Sequence, residues 1–231
     1  MKKKSYLISI IIPAFNEEKT IEEIISKVYN IDINKEIIII NDGSFDKTLD
    51  ILYKIKDKYN LQVINLDKNY GKGFAIRKGI EASKGDIILT QDADLETDPS
   101  EYYRLIKPII DGKTKVVFGS RFLGTINNMN KFNYFGNKFL TFIANILYGI
   151  RITDEATAYK VFLKEILSDI DLKSNRFEIC PELVAKIAKR KYKIFEVPIS
   201  FYGRSKDEGK KLRPLDGFTA IWTLIKYRFT E

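Results

Sequence analysis

Apolar residues along this chain fall into two alternating patterns. Short continuous runs at Tyr6 to Ile12, Glu36 to Ile40, Leu61 to Leu66 and Ile87 to Leu89 have the length and composition of buried strands. Between them, Ile21, Ile24, Ile25 and Val28 recur at helical spacing behind Glu17 and Glu18, acids placed where a helix dipole favours them. Leu49, Leu52, Tyr53 and Ile55 repeat the spacing after Asp46, with Lys56 where the stripe would continue, so that helix has a narrow apolar face. A third helix follows Gly71. Strand alternating with helix predicts an α/β fold, Rossmann-like, with a mostly parallel central sheet covered by helices on both faces. Ligands of such sheets sit beyond the carboxyl ends of the strands. The loops at Pro13, Asp42, Asn69 to Gly73 and Asp92 are therefore predicted to converge on one cleft.

The second half is less regular. The pattern predicts a helix over Tyr102 to Ile110, a strand over Lys115 to Phe118, and a loop at Gly119 to Phe122 carrying Arg121. Phe132 to Ile150 is aromatic and apolar, but Asn133, Asn137, Lys138 and Asn145 interrupt it, and a membrane span needs about 20 mostly apolar residues. It reads either as a helix packed on the sheet or as one lying on a membrane interface. A helix over Phe177 to Lys191, a strand over Lys193 to Phe201, a basic loop from Gly203 to Arg213 and an amphipathic helix over Leu215 to Phe229 complete the chain. Phe218, Trp222 and Ile225 share one side of that last helix. No repeat or interdomain linker divides residues 1 to 231, which read as a single domain.

The stretch DIILTQDADLETDP, Asp86 to Pro99, carries the candidate chemistry: a buried strand ends by presenting Asp92, Asp94 and Glu96 two residues apart, before Pro99 stops further pairing. Carboxylates this close repel unless a cation sits among them, and hard oxygen donors favour Mg²⁺ or Mn²⁺. By itself the pattern is equally that of a polar turn.

Composition narrows the alternatives. At 231 residues, 45% hydrophobic and 30% charged, the chain is long enough for a sizeable core. Its 39 Lys and Arg against 31 Asp and Glu leave a net charge of +8, which favours anionic partners. There is no histidine, so zinc sites built on histidine are excluded and any general base is a carboxylate, lysine, tyrosine or the substrate itself. A single cysteine, Cys180, excludes an intrachain disulfide and fits a reducing, cytoplasmic setting. The basic start and apolar run of MKKKSYLISIIIPAFNEE meet Pro13 and acids with no small-residue cleavage site, so the run reads as a first strand and not a signal peptide. Lysines alternate with acids on the helices and form no stripe with stacking aromatics, which argues against nucleic acid as a partner.

The series IIPAFNEE (11 to 18), INDGSFDKT (40 to 48), GKGFAIRKG (71 to 79), DADLETDP (92 to 99), GSRF (119 to 122), DEATAYKVF (154 to 162) and RFEICPELVAKIAKRKYKIFEVPISFYGR (176 to 204) resembles the inverting family 2 glycosyltransferases of the GT-A fold. Within them it is most similar to the dolichyl-phosphate mannose synthase branch. The resemblance spans nearly the whole chain in order. It implies a nucleotide-sugar-binding half over residues 1 to 122 and an acceptor-side half over 123 to 231. The implied donor is a nucleotide diphosphate sugar, GDP-mannose or a UDP-hexose, held by Pro13, Phe15, Glu17, Asp42, Gly71, Gly73 and Asp92. Asp92, Asp94 and Glu96 are the implied ligands of Mg²⁺ or Mn²⁺, and Arg121 is implied to lie near the phosphates. Arg204, Lys210 and Lys211 match a basic loop that closes over the donor, or form a solvated lysine loop. The implied acceptor is a polyprenyl phosphate or a glycan hydroxyl.

Departures from the family pattern are informative. Asn41 replaces the first acid of a common aspartate pair, and Ser100 replaces a second proline after Pro99. Ala156, Thr157 and Ala158 stand where the synthases carry Thr-Ser-Gly, so the acceptor pocket is predicted to differ. Asp154 is retained, either as the base for a hydroxyl acceptor or to orient the donor sugar. One branch continues into transmembrane helices and this chain ends before them, which predicts that a lipid acceptor is reached from an anionic membrane surface or through a membrane-protein partner. A sugar-nucleotide-forming nucleotidyltransferase would need a glycine- and arginine-rich signature after the first strand, which PAFNEE lacks. A catalytically silent sugar-nucleotide binder would share every motif.

Overall fold

The computed structural model describes residues 5–204 and 214–230. Its elements are β1 (Ile8–Ala14), α1 (Ile21–Tyr29), β2 (Lys35–Asn41), α2 (Thr48–Ile55), β3 (Leu61–Asn65), α3 (Lys72–Ala82), β4 (Ile87–Thr90), α4 (Tyr102–Ile110), β5 (Val116–Asn127), α5 (Lys131–Tyr148), β6 (Lys160–Leu163), α6 (Ile179–Lys189), β7 (Ile194–Tyr202) and α7 (Pro214–Phe229). The strands form one sheet in the order β3-β2-β1-β4-β6-β5-β7. β1 lies between β2 and β4 and is parallel to both, so the strand order reverses there and opens a crevice at their carboxyl ends. β6 alone among the described strands runs against its neighbours β4 and β5.

Side-chain alternation explains why the strands read as unbroken apolar runs. Ile8, Ile10, Ile12, Ile37, Ile39, Ile87 and Leu89 face the layer of α1, α2 and α4. Ile11, Ile38, Ile40, Ile88, Val116 and Phe118 face the layer of α3, α5, α6 and α7. A sheet covered on both faces needs apolar residues at every position.

Two features of the second half differ from the sequence reading. Gly119 to Phe122 is not a loop: β5 continues through it to Asn127, paired in parallel with β7 and irregular between Ser120 and Thr125. Its polar residues suggest a turn, yet Ser120 and Arg121 are buried, and Arg121 finds a charged partner inside the fold. β6 was hidden inside DEATAYKVF, being only four residues long.

α5 and α7 turn their larger apolar side chains outward. α5 buries Leu140, Thr141 and Ala144, while Phe132, Phe135, Phe139, Phe142 and Ile146 are 57% to 70% exposed. On α7, Phe218 (73%) and Trp222 (65%) are exposed and Ala220, Leu224 and Tyr227 are buried. Each exposed set recurs every three or four residues, so each is a continuous stripe on its helix. The two helices pack against each other. No described helix is long and apolar enough to cross a membrane.

Close packing of α3 on the sheet yields a stability prediction. A Cβ added at Gly79 would lie 2.4 Å from Ile11 Cγ2 and 2.8 Å from Ile40 Cδ1. Helix propensity favours alanine over glycine by about 1 kcal/mol, but overpacking costs about 1–3 kcal/mol. Gly79→Ala is expected to lower the urea midpoint; an unchanged or raised midpoint would show that β1 and β2 yield without strain.

Candidate active site

Four loops leave the carboxyl ends of β1 to β4, and polar side chains join them in a ring. Asn16 adopts a left-handed φ of 51°, its N–H donates to Ser44 Oγ at 2.9 Å, and its Oδ1 accepts from Phe45 N at 3.0 Å. Together with Glu17 N donating to Thr48 Oγ1 at 2.8 Å, this ties the first loop to the second. Asp42 ties the second to the third, since its two oxygens accept from Tyr70 N and Gly71 N, each at 2.8 Å. Lys72, the first residue of α3, reaches the fourth with Nζ 2.6 Å from Asp92 Oδ1. Arg204, just past β7, closes the ring: its guanidinium lies 3.0 Å from Glu17 Oε2 and 3.4 Å from Asp94 Oδ2.

The structure thus brings Glu17, Asp42, Gly71, Asp92, Asp94 and Arg204 into one connected cluster. Glu96 joins it through Oε1, which accepts from Arg204 N at 2.9 Å. Pro13 lies in β1 opposite Ile40, and half-buried Phe15 sets its ring edge-on to exposed Phe45, with centroids 5.8 Å apart. Gly71 has a φ of 104°, and Cβ atoms at Gly71 and Gly73 would come within 2.5 Å of Asn175 O and 2.6 Å of Ser174 O. The backbone these glycines admit is therefore the chain's own segment 174–176. Lys210 and Lys211 lie outside the described residues.

Charge is crowded at the end of β4. Burial, reinforced by Asp92 and Glu96 and opposed by Arg204, pushes the Asp94 carboxyl up to about 7. Burial works against the charge of Lys72, but Asp92 above all holds it up at about 12. For Asp42, burial raises the carboxyl and the Tyr70 and Gly71 amides and Arg176 partly offset it. Among the described residues no group of three or more potential ligands is assembled to hold a metal. The donor chemistry still fits: Mg²⁺ is commonly held by one or two carboxylates plus substrate phosphates, and Asp92 and Asp94 supply the former.

Beside this cluster lies a buried ion pair. Arg121 Nε and Nη2 each donate to Asp154 at 2.7 Å, and Arg121 N donates to the same carboxylate at 3.0 Å. Asp154 is fully buried and Arg121 is 8% exposed, with its guanidinium 5.2 Å from the Phe201 ring centroid. Both oxygens of Asp154 are engaged, so neither is presented as a base.

Comparison with known proteins identifies this arrangement. Residues 9–171 match the family described as Glycosyl transferase family 2. The chain belongs to that family. It is 30% identical to the UDP-N-acetylglucosamine–dolichyl-phosphate N-acetylglucosaminyltransferase of Methanococcus voltae, over 95% of each chain. It is 31% identical to the dolichol-phosphate mannosyltransferase of Pyrococcus furiosus, over 88% of this chain but 58% of that protein. Its fold is that of the GT-A enzymes: glucosyl-3-phosphoglycerate synthase from Mycobacterium tuberculosis with bound UDP superposes with a TM-score of 0.72 at 20% identity, covering 96% of this chain and 80% of the other.

Three residues of this glycosyltransferase escaped the sequence reading. Lys72 is flanked by glycines at a helix start, a context that could have marked it. Gln91 stands between the apolar strand and Asp92, a polar residue that is wholly buried. Glu155 gave no signal beyond its motif. It is fully buried, its N–H donates to Thr141 Oγ1, and neither of its oxygens has a hydrogen-bond partner among the described residues.

Burial pushes Glu155 up to about 7, with Lys160 and Arg121 opposing the rise and Asp154 adding to it. A carboxyl raised in the folded state contributes stability that is fully present below its unfolded pKa of about 4.3 and lost as pH rises through about 7. Glu155→Gln is therefore expected to gain on the wild type by roughly 5 °C in Tm between pH 5 and pH 8. A Tm difference independent of pH would show that Glu155 stays ionised throughout.

Proposed function

We propose that this glycosyltransferase moves a hexose, with inversion, from a nucleotide diphosphate sugar, GDP-mannose or a UDP-hexose, to a polyprenyl phosphate at a membrane surface. The observation that carries the choice of acceptor is the Arg121–Asp154 pair. A sugar hydroxyl needs a base to take its proton, and Asp154, the motif's candidate, is fully buried in a bidentate ion pair with Arg121. A phosphate monoester is already an anion and needs none. The relatives named for transfer to dolichyl phosphate support the same reading.

In this mechanism Phe15 packs against the nucleobase, Asp42 accepts a ribose hydroxyl, and Glu17 does the same once Arg204 turns away from it. Asp92 and Asp94 would hold Mg²⁺ or Mn²⁺, and the ion would supply Lewis-acid stabilisation of the departing diphosphate. Lys72 and Arg204, which pair with those acids in the structure, turn toward the phosphates when the donor arrives. Asp154 orients Arg121, whose guanidinium lies within the field of Glu96 at the edge of the cluster. The attacking phosphate approaches opposite the leaving group, through a transition state of oxocarbenium character.

Asp94→Asn tests the site. The variant is expected to lose about 100-fold or more of sugar transfer to a polyprenyl phosphate, assayed with GDP-mannose and with UDP-hexoses in Mn²⁺, while its Tm at pH 8 stays at or above wild type, because a crowded charge has been removed. Transfer at the wild-type rate, or full wild-type activity in chelator, would refute the metal role of Asp94. Wild-type protein that binds the donor without any transfer or hydrolysis would favour a silent binder.

The membrane half of the proposal rests on α5 and α7. Residues 129 to 153 carry Lys131, Lys138 and Arg151 and no acid, and α7 after Asp216 carries only Lys226 and Arg228 as charges. Outward aromatic stripes flanked by cations suit an anionic bilayer, where each basic residue held near the surface contributes about 1 kcal/mol. An open groove of about 380 Å³, lined by Ile126, Met129, Tyr134 and Phe135 with Lys131, lies at the start of α5 and suits a prenyl chain. Sedimentation with vesicles is expected to rise with anionic lipid content, fall with salt, and be lost in Phe139→Asp/Trp222→Asp. Binding indifferent to lipid charge would refute the electrostatic part, and unchanged binding by the variant would move the contact elsewhere.

A further inference from the structure

The acid-bearing loop after β4 is closed by a single buried side chain. Gln91 is completely buried. Its Nε2 donates to the carbonyl oxygen of Asp92 at 2.9 Å and to Thr97 Oγ1 at 3.1 Å. Its Oε1 accepts from Tyr102 Oη and Tyr159 Oη, both at 2.8 Å. The orientation of the amide follows from its partners: the Asp92 carbonyl can only accept, so nitrogen must face the loop and oxygen the two phenols, each of which then donates. Two donors and two acceptor sites are all used, inside a core where Tyr102 and Tyr159 are fully buried and meet edge-on at 5.9 Å.

Asp92 begins the turn and Thr97 ends it, so one amide joins both ends of the segment that carries Asp92, Asp94 and Glu96. Within it, Leu95 is left-handed at φ 62° and Asp94 Oδ1 accepts from Glu96 N at 3.1 Å. Three acids in one turn repel and would spread it. Thr97 is also bridged to Phe201 on β7, which makes the far end a fixed point.

We propose that Gln91 is a positioning residue for the metal carboxylates: by clamping the Asp92 carbonyl to Thr97 it holds Asp92 and Asp94 at a set separation before any cation binds, while the phenols of Tyr102 and Tyr159 satisfy the buried amide oxygen. The proposal rests on the metal role given above to Asp92 and Asp94. Groups that orient metal ligands from behind typically change metal affinity by about 10- to 100-fold when removed.

The test is Mn²⁺ binding, followed by loss of the free-ion electron paramagnetic resonance signal, with UDP and with GDP as the nucleotide. Tyr102→Phe/Tyr159→Phe removes the phenols but leaves the amide's arm on the loop, and should bind Mn²⁺ within about 3-fold of wild type. Gln91→Leu/Tyr102→Phe/Tyr159→Phe replaces the whole network by apolar groups, a change that avoids stranded phenols, and should bind about 10-fold or more weakly. Thr97→Val, nearly isosteric, cuts the far clamp and the Thr97 contact with Tyr159, whose loss the double variant already tests, and should weaken Mn²⁺ several-fold with a Tm fall of a few degrees from the stranded amide N–H; it serves also if the triple variant does not fold. Triple and Thr97→Val variants that both bind Mn²⁺ like the double variant would overturn the clamp while leaving the metal site standing. Failure of the wild type to take up Mn²⁺ with either nucleotide would overturn the metal assignment itself, and the clamp's role with it.

Discussion

Negative charge gathered where parallel strands end is the constraint on which this structure turns. Glu17, Asp42, Asp92, Asp94 and Glu96 come from three different strand ends, and the topology of β2, β1 and β4 leaves them nowhere else to go. Burial first, and repulsion from Asp92 and Glu96 second, raise the Asp94 carboxyl. The protein offsets it with Lys72 from a helix start and Arg204 from the end of β7. Both are long, flexible side chains, suited to yielding their places when phosphate oxygens bring charge of their own.

Each of those contacts also joins loops that are far apart in sequence. Asp42 with the 70–71 amides, Lys72 with Asp92, and Arg204 with Glu17 make the cleft a closed circuit of charge-assisted bonds, which are stronger than neutral ones. Neutralising the acids and assembling the cleft are thus one set of interactions. The Arg121–Asp154 pair follows a different logic: it is buried, bidentate and fully satisfied, and breaking such a pair from one side leaves an unpaired charge inside the fold. That cost makes it a fixed part of the wall.

α5 and α7 leave most of their aromatic residues outside the fold. Leu140, Ala144, Ala220 and Leu224 pack into the sheet layer while Phe135, Phe139, Phe142, Phe218, Trp222 and Phe229 stay in solvent. Under the proposed function, these exposed stripes and the cations on the same helices face something apolar and negative. An acceptor phosphate on a prenyl chain has both properties.

The sequence by itself determined the first half of the sheet. The runs at β1, β2, β3 and β4, and the helices between them, lie within a few residues of where periodicity puts them, because a strand buried on both faces must be apolar at every position and a surface helix must be apolar at every third or fourth. The acids at 92, 94 and 96 and their place at a strand end were legible for the same reason. The helices α4, α5, α6 and α7 and the strand β7 also lie close to where periodicity puts them, but tertiary structure alone decided several features. Periodicity shows that α7 has an apolar side but not that Trp222 lies outside and Leu224 inside, since that depends on which neighbour covers the helix. It reads Gly119 to Phe122 as a loop, because the carboxylate that makes a buried Arg121 tolerable lies 33 residues further along the chain. Lys72, Gln91 and Arg204 acquire their roles from partners, most of them remote, whose positions only the folded backbone sets, and no local pattern carries that information.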